Sequence, residues 1–315
     1  MPYFCAMKKT STLLASAILL LSLFSCEKDV NITLATGEKQ IVVEGVIETD
    51  QQPYVTLTNS MGFFDKIDLN SLSYVENAVI EVTDLSSGNK ITLKEYKIDT
   101  TFGNQTFKFN IYGPDQSDPN AMNFKGIQGH SYLLNITANG KSYSSVTAIP
   151  YANGLDSIWT EPVPGREDSF SVVKVMYNDP DTFGNAVRIQ TLNRKFRKDG
   201  SPEVFLTSFN PVYDDAIING SRFPVTIDMG YDKSKTYNNE DFQTLGFIRR
   251  GDTVTVKWAA IDKKVFKFWE TLVYSTSAVG NPFASPVKVQ GNISDALGVW
   301  GGYNAQFYTI TDTLK

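Results

Sequence analysis

Cysteine is almost missing from this chain of 315 residues: there are two, Cys5 and Cys26, and both stand within the first 26. Everything after Cys26 therefore lacks a thiolate nucleophile, and Cys-rich zinc sites are excluded. Histidine is scarcer still, a single His130 in "QGHSYLLN" just ahead of a predicted strand. It reads as a loop or strand-entry residue without catalytic duty. No GxSxG elbow, HExxH helix or pair of histidines occurs, so the familiar hydrolase and zinc-protease signatures are absent. The glycines of "FGNAV" and "WGGYN" lack the context of a phosphate loop, and the S-x-x-K matches at Ser87/Lys90 and Ser285/Lys288 are of a kind expected by chance. Lys and Arg form no block, and the formal net charge of −5 with a pI near 5.1 leaves nucleic acid without an electrostatic footprint. No apolar run reaches the roughly 20 residues that a membrane-spanning helix needs.

The longest apolar run, Leu13 to Phe24, follows Lys8 and Lys9 directly. A charged region followed by a short apolar one is the order of a secretory signal, with Met7 a plausible true start. The run ends in Leu23, Phe24, Ser25, Cys26. An aliphatic residue three positions before a cysteine and a small one just before it resemble the lipobox of bacterial lipoproteins. In that class the sulfur carries diacylglycerol, the peptide is cut before the cysteine and the new amine is usually acylated. The alternative is an ordinary signal with an incidental cysteine. Several acyl chains, at about 0.8 kcal/mol per buried methylene, would anchor the protein stably. Residues 1–25 are thus read as a signal peptide and Cys26 as the lipidation site, with no cofactor beyond that covalent lipid. Residues 26–40 are polar and weakly patterned, a flexible tether.

From Ile41 onward strand signals are dense. "IVVEGVI", "YVTLT", "AVIEVTD", "KITLKEY", "FKFNIY" and "SYLLNITANGKSYSSVTAIP" are short, β-branched or aromatic, and bounded by turn formers. Asn139-Gly140 fits a type I′ turn between Tyr132–Ala138 and Lys141–Thr147. Period-2 patterns at Phe107, Phe109, Ile111 and at Tyr132, Leu134, Ile136 predict core-facing sides. Residues 41–150 read as an immunoglobulin-like or transthyretin-like β-sandwich. "TAIPYANGLDSIW" is a junction, after which residues 151–315 form a second β-rich domain. That domain holds one convincing helix near 262–274, capped by Asp262, with Ile261, Val265, Phe268, Trp269 and Leu272 on its apolar face. The fold class expected is mainly β.

Chemistry is harder to find. A pair of carboxylates would suffice for a glycosidase, and none announces itself among 34 acidic residues. "NDPDTFGN", Asn178 to Asn185, and "DQSDPN", Asp115 to Asn120, bring together oxygen ligands that could hold Ca²⁺, but their residues are equally turn formers, and the turn reading is preferred. Segments read as loops, "MGFFDK", "FNPVYDDAIINGSRF", "VGNPFASP" and "GVWGGYNAQF", are rich in aromatics and amides, a composition suited to recognising a glycan or a peptide. Tyr213, Asp214, Asp215, Trp300 and Tyr303 are the candidate binding surface.

Taken in order, several segments resemble a known family. They are the lipobox, "IVVEGVIETDQQPYVTLTNS", "VENAVIEVTD", "GHSYLLNITANGKSYSSVTAIP", "LDSIW", "NDPDTFGN", "YDDAIINGSRF", "GDTVTVKWAAIDKKVFKFWETL" and "NPFASPVKVQGNISDALGVWGGYNAQ". Together they resemble the Bacteroidetes outer-membrane lipoproteins catalogued as domain of unknown function 4249. Where that family shows "DPP" and "NYY", this chain has Asp179-Pro180-Asp181 and Asn185-Ala186-Val187. The resemblance implies a lipid-anchored partner of a TonB-dependent nutrient receptor, capturing or gating cargo without catalysis. Glu27 and Asp29, just after the lipidated cysteine, would then be an export signal to the cell surface. The alternatives are a stand-alone glycan-binding or adhesive module, and a hydrolase built on a carboxylate pair. The triplets beginning at Asp99, Asp156, Asp252 and Asp312 also resemble an O-glycosylation sequon, a pattern too permissive to carry weight.

Overall fold

In β1, Ile41–Glu48, the side chains of Ile41, Val43 and Ile47 point into a core while Glu44 faces water, the alternation that a strand covered on one side requires. This computed structural model describes residues 38–61, 73–102, 105–166, 168–193, 204–232, 236–278, 285 and 287–313. Cys26, Glu27 and Asp29 lie outside the described residues, as do most of "MGFFDK" and of "VGNPFASP".

Six further strands follow β1: β2 (Tyr54–Asn59), β3 (Val79–Asp84), β4 (Lys90–Phe102), β5 (Gln105–Pro114), β6 (Ser131–Ala138) and β7 (Lys141–Ala148). The β6–β7 hairpin turns at Asn139 and Gly140, whose φ values of 52° and 72° are those of a type I′ turn. Tyr132, Leu134 and Ile136 are buried as their spacing predicts. The neighbouring expectation for β5 needs correcting. Phe109 is 37% exposed, whereas Asn110 and Tyr112, on the opposite face, are buried; the Phe107 side chain lies outside the described residues. The reason is local. β5 meets β2 only where Tyr112 lies opposite Val55, and the Tyr112 hydroxyl donates to Val75 O at 2.9 Å, so this end of the strand takes its face from the tyrosine.

The second half of the chain supplies β8 (Leu155–Pro162), β9 (Phe170–Asn178), β10 (Ala186–Asn193), β11 (Val212–Asp214), β12 (Arg222–Ile227), β13 (Ile248–Arg249), β14 (Thr253–Ile261) and β15 (Leu297–Thr311). Two short helices, α1 (Pro119–Asn123) and α2 (Asn239–Phe242), and one long one, α3 (Lys263–Ser277), complete the described elements. The protein is mainly β, with large sheets and one long helix. β15 runs parallel to β1 and antiparallel to β14, which joins both halves of the chain in one eleven-stranded sheet ordered β11-β10-β14-β15-β1-β2-β5-β4-β3-β6-β7. That sheet crosses the expected boundary at residue 150, and Lys39–Lys315 forms one compact unit. Beyond β1 the sheet curls, so that β7 at its end meets β15 again. Gly302 N donates to Thr147 Oγ1 at 2.9 Å there, and a Cβ on Gly302 would stand 2.4 Å from Ala148 O.

Around β14 the layers are three. Val254, Val256 and Trp258 face a core shared with Val173, Val175 and Tyr177 of β9, the central strand of a separate four-stranded sheet that also contains β8, β12 and β13. Ala259 and Ile261 face α3 and meet Val265 and Phe268. A strand covered on both faces reads as a near-continuous apolar run, which is what "VTVKWAAI" is. Asp262 caps α3 by accepting from Lys264 N and Val265 N at 2.8 and 2.9 Å. Its other oxygen accepts from Thr147 Oγ1 and Ala148 N at 2.8 and 3.1 Å, which fastens the helix start to β7.

Candidate functional site

Because β12 pairs with β9 and β11 pairs with β10, the connections β9–β10 and β11–β12 emerge side by side at one end of the two sheets. Each is tied to the other by a buried aspartate. Asp215 accepts from Gly184 N at 2.8 Å and from Asn185 N at 2.9 Å through the same oxygen, and its own amide donates to Asn185 O at 3.1 Å. Asp179 accepts from Gly220 N at 3.1 Å while its amide donates to Ser221 O at 3.0 Å. Within the first loop, Asn185 Nδ2 donates to Thr182 O and, at 3.1 Å, to Thr182 Oγ1. Reciprocal bonds of this kind make two crossing loops behave as one unit.

Beneath the clamp is a cavity of about 190 Å³. Tyr177, Phe223, Val225 and Trp258 make much of its wall, with Val187 at its side and Tyr213 among the residues that border it. The aromatic rings are interlocked: Tyr177 lies 4.9 Å from Trp258 and meets Phe223 edge-on at 6.1 Å, centroid to centroid. A second cavity of about 210 Å³ shares Tyr177, Asn185 and Ala186 with the first.

The electrostatics of this wall are unusual. Asp179 and Asp215 are 5% and 4% exposed, and neither meets a cationic side chain among the described residues. Burial pushes the Asp179 carboxyl above the ordinary range and the nearby charge of Asp215 adds to this, against the Gly220 amide and the Tyr177 hydroxyl, which favour the ionised form. Tyr177 is in turn pushed up by burial first and by Asp179 and Asp215 after it. Above the cavity the loop tips are apolar. Phe183 is 82% exposed and Ile217 is 95% exposed.

Of the five residues expected to form a binding surface, three are here. Tyr213 and Asp214 are exposed at the cavity, and Asp215 is buried as the clamp. Trp300 and Tyr303 are a correction, being 0% and 2% exposed. "GVWGGYNAQF" is not a loop but the middle of β15, whose neighbours cover it on both faces. Trp300 Nε1 donates to Tyr132 O at 3.0 Å, and the Tyr303 hydroxyl accepts from Trp269 Nε1 at 2.9 Å. Tyr177 and Trp258 carry no signal in the sequence because each sits in an ordinary strand pattern, while Phe223 closes a segment that reads as an aromatic-rich loop but lies in β12.

The other candidates resolve into local structure. His130 Nδ1 lies 2.9 Å from Asp84 Oδ2, and Ser87 donates to that same oxygen at 2.7 Å, so the serine serves the carboxylate and not the imidazole. In "DQSDPN", Asp115 accepts from Ser117 N at 3.0 Å, and Asp118 caps α1. Among the described residues no group of three or more His, Cys, Asp or Glu side chains is arranged to hold a metal. Nor is any described helix long and apolar enough to cross a membrane.

A mainly-β body in which two loops are clamped over an aromatic-lined cavity is the class that the described residues define. The chain belongs to the family described as a domain of unknown function (DUF4249), whose model matches residues 27–308. No curated protein matches it.

Proposed function

We propose that the chain is a lipid-anchored outer-membrane protein, held through Cys26 and facing the cell exterior, that serves a TonB-dependent nutrient receptor as a cargo-capturing partner without catalysis. The signal, the lipobox-like Cys26 and the family match from residue 27 support this reading. The observation that carries it furthest is the clamped loop pair. Two large apolar side chains, Phe183 and Ile217, stand almost fully in water on loops that Asp179 and Asp215 hold in place. Exposed apolar groups on a preorganised frame suit association with another protein, since little ordering is left to oppose binding. Asp215 itself is occupied with backbone amides, which argues against the hydrolase alternative. The glycan-binding alternative is weakened by the burial of Trp300 and Tyr303.

The test is co-purification. Tagged protein drawn from detergent-solubilised outer membrane should bring a TonB-dependent receptor with it, and Phe183→Asp with Ile217→Asp should lose that receptor while leaving the melting temperature unchanged. Capture of no such receptor by the wild-type protein would refute the proposal.

A further inference from the structure

A cavity lined by aromatic rings and by two buried carboxyl groups without a counter-charge is incomplete as it stands. Burial of acidic groups is ordinarily accompanied by a paired cation, because an isolated charge loses its hydration without recompense. Among the described residues no Lys or Arg meets Asp179 or Asp215. A carboxylate has about four acceptor positions. On Asp179 the Gly220 amide accounts for one of them. Trp258, on the same wall, is 2% exposed and presents an aromatic surface to the cavity.

We propose that this cavity is a binding site for a small organic ammonium, an amine carried on a single ring or a short branched alkyl group, with Asp179 as its counter-ion. The body of the ligand would lie against Phe223, Val225 and Trp258, and the ammonium would meet Asp179 beside the Tyr177 ring. Three features fit that class together. The volume of about 190 Å³ suits a one-ring group, since a cavity of roughly 150 Å³ lined by apolar side chains accepts benzene. Aromatic faces attract a cation through their quadrupoles. The carboxylate supplies the charge-assisted hydrogen bond that fixes orientation. An anionic ligand is opposed by both aspartates, and a neutral one leaves Asp179 as it was. This inference does not depend on the receptor partnership, because the site is complete within one chain.

The experiment is calorimetric titration of the full-length protein in detergent with three probes of one shape, 2-phenylethylamine, 2-phenylethanol and 3-phenylpropionate. The amine should bind at least tenfold more tightly than the alcohol, and the acid should not bind. Asp179→Asn should abolish that preference, and Val225→Phe, which fills the cavity without touching a carboxylate, should block the amine. Equal binding of amine and alcohol, no binding of the amine, or an amine affinity unchanged in Val225→Phe would each overturn the proposal.

Discussion

The carboxylate of Asp215 lies 2.9 Å from the backbone amide of Asn185, a residue 30 positions earlier, and the same oxygen takes the amide of Gly184 at 2.8 Å. Two donors on one loop, those of an exposed glycine and a half-buried asparagine, thus depend on one buried side chain of another. Asp215→Ala should lower stability by about 3 kcal/mol in urea titration, because it removes two hydrogen bonds to a charged acceptor, and Asp215→Asn should lower it less, since an acceptor remains. Hydrogen exchange at Gly184 and Asn185 should quicken in the alanine variant. Unchanged exchange would mean that the loops hold without the clamp.

Asp84 and Asp179 should respond to pH in opposite directions. Burial raises the Asp84 carboxyl, but hydrogen bonds from His130, Ser87 and the Ser86 amide outweigh it and hold the group below the ordinary range. Its contribution is therefore present above the unfolded pKa and lost as pH falls through the folded one. Asp84→Asn should be less stable than wild type at neutral pH and approach it in acid.

Asp179 is the reverse, raised chiefly by burial. Its folded form is favoured at low pH, and that advantage is lost as pH rises through the folded pKa. Asp179→Asn should therefore match or exceed wild-type melting temperature at neutral pH and lose any excess in acid. Parallel melting curves for the two variants across pH would contradict both assignments.

Trp300 is packed so closely that a Cβ on Gly45 would stand 2.6 Å from its ring. Trp300→Ala should cost about 3–5 kcal/mol, and Gly45→Ala should also destabilise. A glycan-binding tryptophan would instead show lost binding with little loss of stability.

The cap of α3 offers a further check. Asp262 serves two helical amides and two groups of β7. Loss of an N-cap alone costs about 1 kcal/mol, so Asp262→Ala should exceed that figure in chemical denaturation. A loss no larger would show that the contact with Thr147 and Ala148 adds nothing.

Local features were legible from the sequence. The turn at Asn139-Gly140 and the cap at Asp262 depend on residues a few positions apart, and their chemistry can be read directly. Faces and partners were legible only where the strand is covered as its pattern suggests. β5 failed that condition because one tyrosine, hydrogen-bonded to Val75, sets its orientation. Gly301 and Gly302 looked like loop markers, yet they lie in β15, a strand between two others, where Gly302 permits close approach to Ala148. At the site, "YDD" drew notice to Asp215, but its meeting with residues 184 and 185 follows from the pairing of β10 with β11. That relation joins distant segments and leaves no mark in either one.

The proposed anchor, lipid on Cys26, would tie the protein to the outer membrane with its body facing the cell exterior. The measurement is outer-membrane fractionation with protease added to intact cells, comparing wild type with Cys26→Ser and with the Glu27→Ala, Asp29→Ala pair. Wild type should be membrane-bound and degraded, Cys26→Ser should be unprocessed or released, and the acidic pair should remain bound but become protected. A Cys26→Ser protein still processed and membrane-bound, or a wild-type protein shielded from protease, would contradict the account.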